Sequence, residues 1–217
     1  LTQNAYLHMG LSYLQLAEKN KARMAFEQAA ASNANMQIKE QAAYNYALCL
    51  HETSFSAFGE SVTAFEKFLN EFQTSPYAEK VSSYLVEVYM NTRSYDAALK
   101  SIDRIAKPSA QILEAKQKIL FQLGTQSFAN ADFEQALKYL NQSIAIGQYN
   151  RQTKADAYYW CGESYYRLNR MVEAARDFNA YLQLTTQPNN EMYALANYNL
   201  GYIAFHRNCL LYTSPSP

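Results

Sequence analysis

Along most of this chain apolar positions return every three or four residues, the spacing of one face of an α-helix and not of a strand. Ala42, Tyr46 and Leu50 form one such stripe, and Ser61, Phe65 and Phe68 form the next. The stripes come in pairs divided by short turns. Helices are predicted over 4–16 and 21–31, with a turn at 18–20 and a polar break at 32–36. A second pair begins at Ile38, with about two extra residues near 54–59. The third covers 78–89 and 95–105, and the fourth covers 111–128 and 132–146 around a tight turn at 129–131. The clearest pair lies within 155–184, ADAYYWCGESYYRLNRMVEAARDFNAYLQL, and one further helix is predicted over 191–206. Pro76, Pro108 and Pro188 fall where second helices should stop. Ser75 is placed to cap the helix that follows it, and Gly147 to cap the end of the fourth pair.

The pairs share one period. Gly10 and Gly124 lie 114 residues apart, three steps of 38; Gly124 to Gly162 is one step, and Gly162 to Gly201 is 39. Ala98, Ala136 and Ala174 keep the same interval, as do Tyr13, Tyr89 and Tyr165 at 76 and Phe26 and Phe178 at 152. Several registers in phase over four periods mean a repeated supersecondary unit. Glycine at a fixed place in each first helix points to close approach of two backbones, where a side chain would push the helices apart.

On these residues the chain resembles a tetratricopeptide repeat array. The matching positions are Tyr6, Met9, Gly10, Tyr13, Ala22, Phe26 and Ala29, and later Tyr158, Cys161, Gly162, Tyr165, Ala174 and Phe178. Departures are Ala47 and Val86 in place of the glycine and Ser127 in place of the tyrosine. The period of 38 exceeds the family's usual 34 and implies about one more helical turn per unit, at the end of second helices or the start of first helices. The resemblance implies an all-α superhelix, or solenoid, of about five and a half helix-turn-helix units. These are set at about 3–36, 38–75, 77–108, 110–148, 152–188 and, incomplete, 190–207, as a single continuous array over 1–207. The phrase FLNEFQTSPYAEKV, residues 68–81, resembles the closing turn of long-repeat members from bacterial cell envelopes, so localisation leans to the envelope or periplasm.

Residues 208–217 break the pattern. They carry no charge, no helical period and two prolines, and read as a disordered tail, the truncated or out-of-frame end of a longer reading frame; the alternative is a short natural tail. Either way the sixth first helix is predicted to lack its partner, so further repeats of the same chain are expected to pack on its C-terminal end. A chain that enters its first repeat at Leu1 is likewise read as lacking its true start.

Composition narrows the function. Nineteen basic and nineteen acidic residues cancel, which gives no global pull toward nucleic acid or a membrane surface. No run is apolar enough for membrane insertion. Cys49, Cys161 and Cys209 have no pairing or metal-ligand spacing, and Cys49 and Cys161 fall near core registers. His8, His51 and His206 have no second ligand at the spacing of a zinc site. There is no phosphate loop and no nucleophile elbow, so no catalytic residue, metal or cofactor is assigned.

The expected activity is binding. The resemblance implies that first helices line a concave groove, with ligand-facing registers at Asp156, Tyr159, Glu163 and Tyr166 in the fifth unit and their equivalents elsewhere. The lysine, asparagine and arginine set with which the family's chaperone-binding branch grips a terminal carboxylate is missing. The later units instead offer Phe121, Phe128, Tyr159, Tyr166, Tyr198 and Tyr202, a row of rings suited to anchor a polypeptide. The same rings could instead fill space between neighbouring first helices. The reading is a protein-interaction scaffold; the alternatives are a peptide-sensing segment of a longer signalling or transcription-control protein, and a structural spacer.

Overall fold

A computed structural model describes residues 2–53, 59–92 and 94–212, with side chains through His206. Among them the regular structure is entirely α-helical. The helices are α1 (Thr2–Gln15), α2 (Lys19–Ala31), α3 (Met36–Thr53), α4 (Glu60–Glu71), α5 (Ala78–Asn91), α6 (Tyr95–Asp103), α7 (Ala110–Ala129), α8 (Phe133–Ala145), α9 (Arg151–Arg167), α10 (Met171–Leu184) and α11 (Glu191–Tyr212). Residues 1–115 and 116–217 form two compact units, and the divide falls within α7.

In the first unit each helix packs on its successor from α1 through α5. Leu7, Ala22, Phe26, Ala29, Ala42 and Cys49 make one core cluster, and Phe65, Phe68, Val81 and Leu85 are buried further along. Apolar burial of this kind, and not intrinsic helix propensity, holds helices of nine to twenty residues in place. Tyr89 and Ala98, two of the repeat positions, are fully buried here. The Tyr89 hydroxyl lies 2.6 Å from Ser101 Oγ, which in turn donates to Glu66. Arg104 completes this network with Nε 2.7 Å and Nη2 2.8 Å from the two Glu66 oxygens. A buried carboxylate is tolerated because a bidentate guanidinium and a hydroxyl satisfy it.

In the second unit α8, α9, α10 and α11 pack in sequence. Their core gathers Ala136, Leu140, Ala155, Tyr159, Cys161, Ala174, Phe178, Tyr181, Ala196 and Ile203. Tyr165, nearly buried, lies beneath the guanidinium of Arg170 at 4.7 Å from the ring centroid.

The glycine period has the physical cause expected of it. A Cβ placed on Gly10 would lie 2.5 Å from the Phe26 ring, one on Gly124 2.6 Å from Leu140, and one on Gly162 2.8 Å from Phe178. Each knob stands sixteen residues after its glycine and is fully buried. The alanine four residues before each knob, Ala22, Ala136 or Ala174, is fully buried as well. This knob-on-glycine contact marks three of the helix pairs, while Ala47 and Val86 stand at the glycine register in the second and third.

Two repeated devices have no counterpart in the apolar pattern. The turns inside three pairs pass through Ala17, Ala131 and Asn169 at φ 59°, 60° and 59°, and these positions keep the 38-residue period. After each, an amide donates back across the turn: Glu18 to Tyr13, Asp132 to Ser127 and Arg170 to Tyr165, at 2.8–3.0 Å. Side-chain amides then hold the loops between pairs. Gln117 donates to the Asn150 carbonyl at 2.8 Å and accepts from the Asn150 amide at 2.9 Å. Gln3 bridges Ser32 and Asn35, Asn70 bridges Arg104 and Ala106, and Gln152 accepts from the Thr186 amide in the same manner.

Three local expectations are corrected. Gly147 is not a left-handed cap, since no glycine among the described residues has positive φ; its missing side chain makes room for Lys154 and the Ile144 carbonyl. Ser75 accepts from the Tyr77 amide at 3.1 Å, which closes the turn before α5 and does not cap the helix itself. The last helix does not stop at His206 but continues to Tyr212, since nothing before Pro215 forbids it. Residues 213–217 of the tail and 54–58 of the extra stretch lie outside the described residues.

Candidate peptide-binding face

In the second unit the first helices touch edge to edge. Phe128 of α7 meets Trp160 of α9 at 4.9 Å between ring centroids, and Tyr166 of α9 meets Tyr202 of α11 at 6.0 Å, both edge-on. Asn199 of α11 donates to Glu163 of α9 at 2.6 Å. A single layer of first helices therefore carries rings and carboxylates side by side.

The six rings expected on this face divide into three groups. Tyr159 is a core residue, 4 % exposed, packed edge-on against Phe178 at 5.9 Å and Tyr181 at 5.4 Å. It faces its own second helix, so its ring is not available to a ligand. Phe121, Phe128 and Tyr166 are half-buried; they pack on the core and leave an edge outward. Tyr202 is 40 % exposed and Tyr198 70 % exposed, with His206 lying 4.2 Å from the Tyr202 ring. The structure thus brings Tyr166, Tyr202 and His206 together and takes Tyr159 away.

Two carboxylates share the face. Burial pushes Glu163 up from the usual carboxylate range, opposed by Arg167 and by hydrogen bonds from Asn199 and Tyr159. Burial likewise raises Asp156, opposed by the Gln152 amide at 2.7 Å. The Tyr159 hydroxyl is raised too, by burial first and then by Glu163. Both acids remain half-buried, so their charge acts through a medium less screening than water. Trp160 and Asn199 contribute contacts that register reasoning missed; neither occupies a family ligand position, and only their neighbours on the adjacent helix reveal them.

Cys49 and Cys161 are buried, and burial raises both thiols, Cys49 to about 11. His51 packs between Phe65 at 5.6 Å and Tyr84 at 5.3 Å. Both kinds of residue serve as packing groups in the places they occupy. Among the described residues no helix is long and apolar enough to cross a membrane.

No protein-family model matches the chain, and no curated protein matches it. Among solved structures, a crystal structure of MamA protein is 15 % identical with TM-score 0.38, over 86 % of this chain and 93 % of that one. A second MamA, from AMB-1, is 19 % identical with TM-score 0.37, over 89 % and 96 %. The APC/C hetero-tetramer Cut9–Hcn1 is 16 % identical with TM-score 0.35, over 95 % of this chain and 37 % of that one. The architecture is read from the chain's own geometry: glycine, alanine and knob recur at one register, with the same turn between the helices they join. By that geometry the described residues form an all-α array of repeated helix-turn-helix units, the fold that the resemblance to tetratricopeptide repeats implies.

Proposed function

We propose that this chain is a protein-interaction scaffold, and that the first-helix face of its second unit takes a polypeptide segment carrying a basic residue. The carrying observation is the exposed Tyr202 ring set edge-on against Tyr166, beside the half-buried Glu163. Rings held on packed helices supply large contact area with little entropy left to lose. The carboxylate adds a partner for lysine or arginine, whose stem can lie along the rings.

The test is a random peptide display selection on the full chain, followed by titration of the recovered peptides. Tyr166→Ala and Tyr202→Ala should each weaken binding about tenfold or more, with the melting temperature of Tyr202→Ala unchanged. Glu163→Gln should weaken only peptides with a basic residue. Affinities indifferent to all three changes would remove the proposal.

A further inference from the structure

The first-helix position four residues before the glycine register carries a ring in α1 and α9, Tyr6 and Tyr158, but an alanine, Ala43, in α3. Three further pairs, each 115 residues apart and buried at both ends, fix the alignment of α3 with α9: Ala42 with Ala157, Tyr44 with Tyr159, and Ala47 with Gly162. On the preceding second helix, Ala30 of α2 stands where α8 has Ile144, 114 residues on. In the second unit Tyr158 and Ile144 both pack on the core. In the first unit their counterparts end at Cβ, and a cleft of 280 Å³ opens between α2, α3 and α4.

The cleft is built from packed helices, since α3 packs on both α2 and α4. Ala30 and Ala43 line it together with Ala64 of α4, beside the rings of Tyr46 and Phe68. Ion pairs tie the surrounding helices. Arg23 lies 3.7 Å from Glu60 and joins α2 to α4, while Lys39 pairs with Glu71 and joins α3 to α4. Glu27 of α2 and Lys67 of α4 also line the cleft and are exposed. A hollow of alanine methyls with carboxylates and ammonium groups around it suits a ring whose tip both donates and accepts a hydrogen bond. A phenol does both.

We propose that this cleft binds a tyrosine side chain presented by a polypeptide partner. Its ring lies over Ala30 and Ala43, in the volume that the second unit fills with its own Tyr158 and Ile144. Its hydroxyl meets Glu27, Lys67 and the Lys39–Glu71 pair. The cleft falls just below the range of whole-ligand pockets, about 300–1,000 Å³, and so takes a single side chain. A free amino acid would bring an ammonium and a carboxylate to a rim where Lys39 and Glu71 already neutralise each other, whereas a phenol adds no charge. The site uses none of the residues of the Tyr166–Tyr202 face and stands or falls without it.

The experiment uses the full chain with isotope-labelled alanine methyls, followed by NMR, and N-acetyl-L-tyrosinamide as the probe. The expected result is saturable ring-current shifts at Ala30, Ala43 and Ala64, unchanged in Tyr166→Ala. Ala43→Tyr, which installs the second unit's own ring, weakens binding about tenfold or more without lowering the melting temperature. Ala30→Ile fills the same cleft with a smaller change and weakens binding as well, which keeps the test decisive if Ala43→Tyr folds poorly. N-acetyl-L-phenylalaninamide binds about threefold more weakly, or worse, for want of the hydroxyl. Absence of saturable shifts, shifts that both filled variants retain, or equal affinity for the phenylalanine amide overturns the proposal. So does L-tyrosine binding far more tightly than its blocked amide, for then the ligand is a free amino acid.

Discussion

Substituting leucine at Gly162 and at Gly201 separates a filled notch from an empty one within the same repeat register. At Gly162 a Cβ alone would sit 2.8 Å from Cδ1 and Cε1 of Phe178, at least about half an ångström inside ordinary contact. Phe178 is fully buried, with Tyr159 edge-on at 5.9 Å, so its ring has nowhere to retreat. Even alanine there must offset a helix-propensity gain of about 1 kcal/mol against a clash of about 1–3 kcal/mol. Leucine adds further atoms to the same space and should cost about 3 kcal/mol, or a fall of ~10 °C in a domain of this size. At Gly201 no described atom is near, so leucine should leave stability equal or raise it by up to about 1 kcal/mol through propensity. Urea and thermal unfolding of the two variants beside the parent measure the difference. Equal destabilisation at both sites, or none at Gly162, would refute the reasoning that glycine serves the helix crossing.

Three more outcomes are expected. Ala131 is exposed at φ 60°, so Ala131→Gly should stabilise by about 0.5–1 kcal/mol in chemical denaturation by relieving a left-handed alanine. Gln117→Leu removes both hydrogen bonds to the Asn150 backbone from a fully buried side chain and should cost about 2 kcal/mol, with faster hydrogen exchange at the Asn150 amide. Glu163 has a folded-state pKa raised by burial, so its protonated form is favoured in the native state. Its contribution is therefore fully present below the unfolded-state pKa and lost as pH rises through the folded-state value. Glu163→Gln should accordingly gain stability relative to the parent as pH goes from acid to neutral, and a constant difference across a pH series of melts would contradict the assignment.

Much of the architecture was legible because it rests on sterics that repeat. Gly10, Gly124 and Gly162 announce crossings too close for a Cβ at those three places, and Ala22, Ala136 and Ala174 mark the small residue beside each knob. The amide braces at Gln3, Asn70, Gln117 and Gln152 were not legible, because a side-chain bond to a distant backbone leaves no apolar period. The left-handed turns were hidden for a related reason, since alanine at Ala17 and Ala131 carries no glycine signal. Tyr159 illustrates the limit for the site: a ring on a first helix can face a ligand or its own second helix, and only the positions of Phe178 and Tyr181 decide. Tyr198 shows the converse, a ring of that same register left exposed where no described second helix covers it.

The central claim is that the first-helix face of the second unit receives a polypeptide. Hydrogen exchange of the full chain with and without a display-selected peptide tests it directly. Protection concentrated on α9 and α11 around Tyr166 and Tyr202, with the exposed sides of α8 and α10 unchanged, is the predicted result; protection confined to the second helices would contradict it.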